Sequence, residues 1–112
     1  MPKIAYTVRA ALPDAATADR FLSWMTGEHL RDLLDAGALS AEAVRLDIES
    51  TGPVPVIECR YVFADRAAYM TYVREHAPRL RARGMELFPP KGDGSPSIHY
   101  QRTVGEIHGP KN

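Results

Sequence analysis

Apolar and polar side chains alternate from the start of the chain. Over residues 3–11, Ile4, Tyr6 and Val8 share one face and Lys3, Thr7 and Arg9 the other, which is the period of a half-buried strand. Pro13 stops that strand and Asp14 offers a helix start. From Ala15 to Ala36 the spacing becomes helical, with Phe21, Met25, His29 and Leu33 recurring every four residues. Gly27 is expected to kink or break this helix, and Gly37 to end it in a left-handed cap. Alternation returns over 41–49, with Val44, Leu46 and Ile48 opposite Arg45, Asp47 and Glu49. Residues 50–53 read as a turn. A stronger strand follows at 54–63, where Ile57, Cys59, Tyr61 and Phe63 share a face, so the two strands form an antiparallel hairpin.

Asp65 then caps a second helix whose apolar stripe is Ala68, Tyr69, Tyr72, Val73 and His76. Pro78 interrupts it, and a second segment, 79–83, ends at Gly84. A polar Gly/Pro loop spans 89–96, and a last strand covers 97–105 with Ile98, Tyr100 and Val104 on its apolar side. The order β-α-β-β-α-β predicts an α+β, ferredoxin-like fold: a four-stranded antiparallel sheet with both helical segments on one face. A single domain over 1–106 and a flexible tail over 107–112 are expected. The two halves also share a motif. Residues 28–37 read EHLRDLLDAG and 75–84 read EHAPRLRARG; both fit Glu-His-x-x-x-Leu-x-x-x-Gly, as copies related by a pseudo-two-fold axis would.

The face of the sheet away from the helices is read as polar, carrying Arg9, Arg45, Asp47, Glu58, Arg60 and Arg102. A four-residue turn at 50–53 places Arg45 opposite Glu58. Such a face is either solvated or packed against a second copy with its charges paired.

Composition narrows the function. The 14 Lys and Arg residues balance the 14 Asp and Glu residues, so charge gives no reason to expect nucleic acid or an anionic membrane as partner. The third strand, VIECRYVF, sets Glu58 where an RNA-binding sheet would stack a base. One cysteine, Cys59, allows no internal disulfide and no thiolate zinc site; it reads as an inert core residue. Nothing points to a cofactor or a metal ligand. Residues 91–95 lack the strand-loop-helix setting of a phosphate loop. The apolar stretch at the N-terminus is too short for a signal peptide or membrane span, and a cytoplasmic location is expected.

The candidate site is the gap between helices and sheet. His29 and His76 lie on inward helical stripes in matching copies of the repeat, and either could move a proton. Tyr6, Tyr61 and Tyr100 would line the sheet side, and Trp24 and Tyr72 the helix side. Such a gap suits a small apolar or aromatic ligand. The competing reading is structural: each His stands beside a helix break and could bond the free carbonyls there. Glu28 and Glu75 are expected to point outward, and Arg74, Arg79, Arg81 and Arg83 to form a solvated helix face.

The segments SWMTGEHLRDLLDAG (23–37) and YVREHAPRLRARGMELF (72–88) resemble a bacterial family known only as a domain of unknown function. That family is placed in the dimeric α/β-barrel superfamily. The shared pattern falls on Trp24, Met25, His29, Gly37, Tyr72, His76, Ala77, Pro78, Leu80, Arg81 and Phe88, and covers about residues 3–88. It implies the fold and a homodimer through the sheet face, and it implies no activity. Haem degraders of the superfamily carry a His about ten residues after an aromatic on the second helix. Ten residues after Tyr72 stands Ala82, so that ligand is missing. Two functions stay open: a small-molecule-binding dimer of the cofactor-independent monooxygenase or isomerase type, with His29 or His76 as proton acceptor, or a non-catalytic ligand sensor or interaction module.

Overall fold

The computed structural model describes residues 1–111. The chain runs β1 (Ile4–Ala11), α1 (Ala15–Trp24), a π-turn (Met25–His29), α2 (Leu30–Asp35), β2 (Ser40–Arg45), α3 (Ile48–Thr51), β3 (Val56–Phe63), α4 (Arg66–Glu75), α5 (Ala77–Leu87) and β4 (His99–Glu106). The four strands form one sheet in the order β2-β3-β1-β4, with every neighbouring pair antiparallel. This is the expected α+β, ferredoxin-like arrangement. Residue 112 of the expected tail lies outside the described residues. At the other end of that segment, Ile107 still donates its backbone N–H to Lys3, at 2.9 Å.

Local chemistry sets the helix starts. The Asp14 carboxylate accepts from the Thr17 N–H at 2.7 Å, and Asp65 accepts from Ala68 at 2.8 Å, each satisfying a donor the first turn cannot pair. Gly37, at φ 112°, closes α2 as expected. The Ala38 N–H bonds the Leu33 carbonyl and the Gly37 N–H that of Leu34, the paired bonds of a Schellman cap.

Gly27 does not break the first helix. The chain passes through it in a π-turn, where the Leu30 N–H reaches back five residues to Met25. Such a turn accommodates one extra residue in an otherwise α-helical run. The helix around Gly84 does not stop there either; α5 continues to Leu87. A Cβ on Gly84 would lie 3.1 Å from the Trp24 ring, so this glycine serves close packing of α5 against α1.

The hairpin differs from expectation by one residue. β2 ends at Arg45, Asp47 begins the short helix α3, and Gly52 leaves it at φ 83°. The longer connection puts Val44 opposite Glu58 and Arg45 opposite Ile57. A one-residue change of register exchanges the two faces of a strand. Arg45 therefore lies on the helix side, where its guanidinium meets Asp19 at 2.6 Å. Arg102 changes sides too: it pairs with Val8 and faces the helices. Of the expected polar face, Arg9, Glu58 and Arg60 remain. Glu58 accepts from Arg9 at 2.9 Å and from Arg60 at 2.8 Å, with Val44 opposite it and Val62 farther along the same face.

The core lies between sheet and helices. Ile4, Leu12, Phe21, Leu33, Ile57 and Phe63 are fully buried there. Toward β4 the helices no longer cover the sheet, and Tyr100 and Val104 are partly exposed on the inner face.

Candidate ligand-binding cavity

Where helical cover thins, a cavity of about 440 Å³ opens between β1, β3 and β4 below and α1, the π-turn and α5 above. Its floor follows from strand alternation. Tyr6, Val8, Cys59, Tyr61, Tyr100 and Arg102 point up from the sheet. Its roof follows from helical period, with Phe21, Trp24 and Met25 from one side and Tyr72, Leu80 and Gly84 from the other. The 89–96 loop closes one end through Pro90, Gly94 and Pro96. Gly94 takes φ 86°, and Asp93 pins the loop by accepting from the Ser95 N–H and hydroxyl.

Five aromatic residues expected at the site are gathered here: Trp24, Tyr6, Tyr61, Tyr72 and Tyr100. They fall into two groups. Tyr6 stacks on Tyr61 with ring centres 5.6 Å apart and lies 5.9 Å from Tyr72. On the other side, Phe21 meets Trp24 edge-on at 5.7 Å and lies 6.4 Å from Tyr100.

His29 joins the groups. Its ring is 4.6 Å from Trp24 and 6.4 Å from Tyr61. Its Nδ1 is sealed from solvent and has no hydrogen-bond partner. Burial lowers its pKa to about 4, against a weaker upward pull from Glu28, so the ring is neutral near pH 7. His76 is elsewhere. It occupies the joint between α4 and α5, outside the cavity lining, with Nδ1 2.8 Å from the Arg79 guanidinium. Its backbone N–H bonds the Tyr72 carbonyl. The shared motif therefore places one histidine at the cavity and the other at a helix joint.

Burial also raises the pKa of the Tyr61, Tyr72 and Tyr100 hydroxyls. Tyr100 is pushed up to about 12, with Arg102 opposing. Tyr61 is pushed higher still, and its hydroxyl lies 4.0 Å from the Met25 sulfur. These phenols are protonated donors at neutral pH. Burial raises the Cys59 thiol to about 11, which leaves it un-ionised and a poor nucleophile. Among the described residues, no group of three or more His, Cys, Asp or Glu side chains gathers as a metal site would.

Glu28 does not point freely into solvent. It accepts from the Trp24 indole at 3.1 Å and from two nitrogens of Arg83, at 2.9 and 3.1 Å. This clamp ties α5 to the π-turn and fixes the Trp24 ring at the cavity wall. The sequence reading missed it because the partners are 55 residues apart. It also missed Arg81 and Arg102 as lining residues. Alternation sets Arg102 on the same face as Tyr100 and Val104, and Arg81 joins the lining through the packing of α5 over the sheet.

The family model described as Domain of unknown function (DUF4286) matches residues 3–95. The chain belongs to this family. The match takes in all the helices and most of the cavity lining, and stops before β4. Among solved structures, a dimeric ferredoxin-like protein from an uncultured marine organism is similar at TM-score 0.67 and 13% identity, over 96% of each chain. HapK from Hahella chejuensis is similar at TM-score 0.62 and 18% identity, over 100% of this chain and 97% of that one. A protein of unknown function from Nitrosomonas europaea follows at TM-score 0.58 and 20% identity, over 100% and 95%. At such identities the likeness shows the fold. Among curated proteins none matches. No helix among the described residues is long and apolar enough to cross a membrane.

Proposed function

We propose that this chain binds a small apolar or aromatic molecule in the cavity between its sheet and helices. The observation that carries this reading is a 440 Å³ space walled by aromatic rings, with the His29 ring in its lining. A well-packed core of this size has few voids larger than a water. A largely apolar ligand with one polar group would fill that space and bond His29 through Nε2, the ring nitrogen that is not sealed. A pKa near 4 makes His29 a weak base at neutral pH. Its role is to orient the ligand by a hydrogen bond. In a monooxygenase- or isomerase-type reaction it would steer the substrate, and the Tyr61 and Tyr72 hydroxyls would donate to a developing oxyanion.

The working unit is a homodimer formed through the outer face of the sheet. Two observations support it: Val44 and Val62 flank the Arg9–Glu58–Arg60 cluster on that face, and one of the structural neighbours is described as dimeric. Light scattering should give twice the chain mass of 12.4 kDa; a monomer at micromolar concentration would contradict this part.

The ligand reading is tested with 2-naphthol, an aromatic with one hydroxyl. Trp24 is the sole tryptophan, so its indole N–H resonance reports occupancy of the cavity. Saturable movement of that resonance is expected. His29→Leu should weaken binding by about three- to tenfold, the worth of one hydrogen bond. No movement of the signal at millimolar probe would defeat the proposal.

A further inference from the structure

The charges around the cavity are one-sided. The chain as a whole is balanced, with 14 basic and 14 acidic residues, yet the lining holds Arg81 and Arg102 and no Asp or Glu. Arg102 stands on β4 with its guanidinium carbon 5.0 Å over the Tyr100 ring. Arg81 comes from α5 and neighbours the Tyr6 hydroxyl, which raises its pKa. The two approach the cavity from opposite layers, yet their fields converge: both oppose the burial that raises the Tyr72 hydroxyl.

Four other arginines are paired with carboxylates. Arg9 and Arg60 pair with Glu58, Arg45 with Asp19, and Arg83 with Glu28 and Glu86. Among the described residues, neither Arg81 nor Arg102 has a carboxylate within ion-pair distance. Glu28, the acid nearest His29, is turned away and neutralised by Arg83. Arg81 and Arg102 are both exposed, as is Met85 beside them in the lining. They therefore stand at the mouth, while the aromatic walls and His29 lie within. A guanidinium beside an apolar chamber binds a carboxylate through charge-assisted hydrogen bonds.

We infer that the ligand is an aromatic or apolar carboxylic acid, its ring in the cavity and its carboxylate held at the mouth by Arg81 and Arg102. This rests on the ligand-binding reading above and adds the charge and orientation of the molecule. A free acid enters with its ring toward His29. The atom that His29 addresses is then the one farthest from the carboxylate, which matches an arylcarboxylate bearing a distal hydroxyl or carbonyl.

The test compares 2-naphthoate with 2-naphthamide, which share size and ring but differ in charge, each followed by the Trp24 indole resonance. The naphthoate should bind about tenfold or more tightly. Rising salt should weaken the naphthoate and leave the naphthamide unchanged. The double variant R81Q/R102Q should bring the two affinities within about threefold. Equal affinities in the unaltered protein, with both probes moving Trp24, would overturn the carboxylate assignment and leave the cavity reading standing. If neither probe moves Trp24, both fall. If the double variant does not fold, the salt dependence alone decides, since only the carboxylate arm responds to screening.

Discussion

The two halves of this chain carry the same Glu-His-x-x-x-Leu-x-x-x-Gly motif and use it differently. Leu33 and Leu80 are the constant pair, both buried in the core. The other positions diverge. Glu28 holds Trp24 and Arg83, whereas Glu75 is exposed. His29 lines the cavity, whereas His76 contacts Arg79 at a joint. Gly37 turns the chain at positive φ, whereas Gly84 lies inside a helix against Trp24. A motif duplicated with a fold conserves packing first. The polar positions are then free to take up whatever each half's neighbours allow, and here only the first copy's histidine reaches the cavity.

That comparison can be broken most directly at the constant pair. Leu33→Ala and Leu80→Ala should each lower stability by about 2–5 kcal/mol in urea unfolding. A loss below about 1 kcal/mol at either position would mean that the two leucines are not equivalent core residues.

The histidines give the next effect. Holding His29 neutral in the fold while it protonates when unfolded makes stability fall as pH drops from 6.5 toward 4. Above 6.5 both states are neutral and the contribution vanishes. Integrated over that window the loss is at most about 3 kcal/mol, and His29→Leu should flatten the slope by that amount. A variant with an unaltered slope would show that the ring protonates in the folded state.

Among the glycines, Gly37→Ala should cost about 1–2 kcal/mol through strain at positive φ. Gly84→Ala should change stability by less than about 1 kcal/mol, because gained helix propensity offsets the 3.1 Å approach to Trp24. Reversal of that order in denaturant melts would undo the assignment of a turn role to one and a packing role to the other. The smallest difference is at the acids. Glu28→Gln should shift the Trp24 indole N–H resonance and Glu75→Gln should not; equal spectra would remove the clamp.

The fold was legible in the sequence because it depends on period. Alternation at Ile4, Tyr6 and Val8 and four-residue spacing from Phe21 to Leu33 need no knowledge of distant partners. The same patterns bring Tyr6, Trp24, Tyr61, Tyr72 and Tyr100 together once the topology is set. Register was less legible. The expected strand residues 46–49 instead lead into a turn of helix, and that sends Arg45 to Asp19 and Val44 to the outer face. Equivalence of the two histidines was suggested by a local repeat, but burial of His29 depends on Trp24, Tyr61 and the π-turn, which the repeat does not contain. Arg81 and Arg102 escaped notice for a related reason: a charged residue on an exposed helix or edge strand looks alike in sequence whether it meets water or a cavity mouth.

The π-turn at Met25–His29 carries a consequence for how this half could change. It amounts to one supernumerary residue in a helix, and each residue of an α-helix turns its successors by about 100°. Deleting Gly27 alone would therefore set Trp24 and Leu33 in competition, since a regular helix could present one of them to the interior and would rotate the other away. The cavity is thus registered in reading-frame units: a single codon, at a position with no side chain, separates a helix that surrounds a space from one that merely packs.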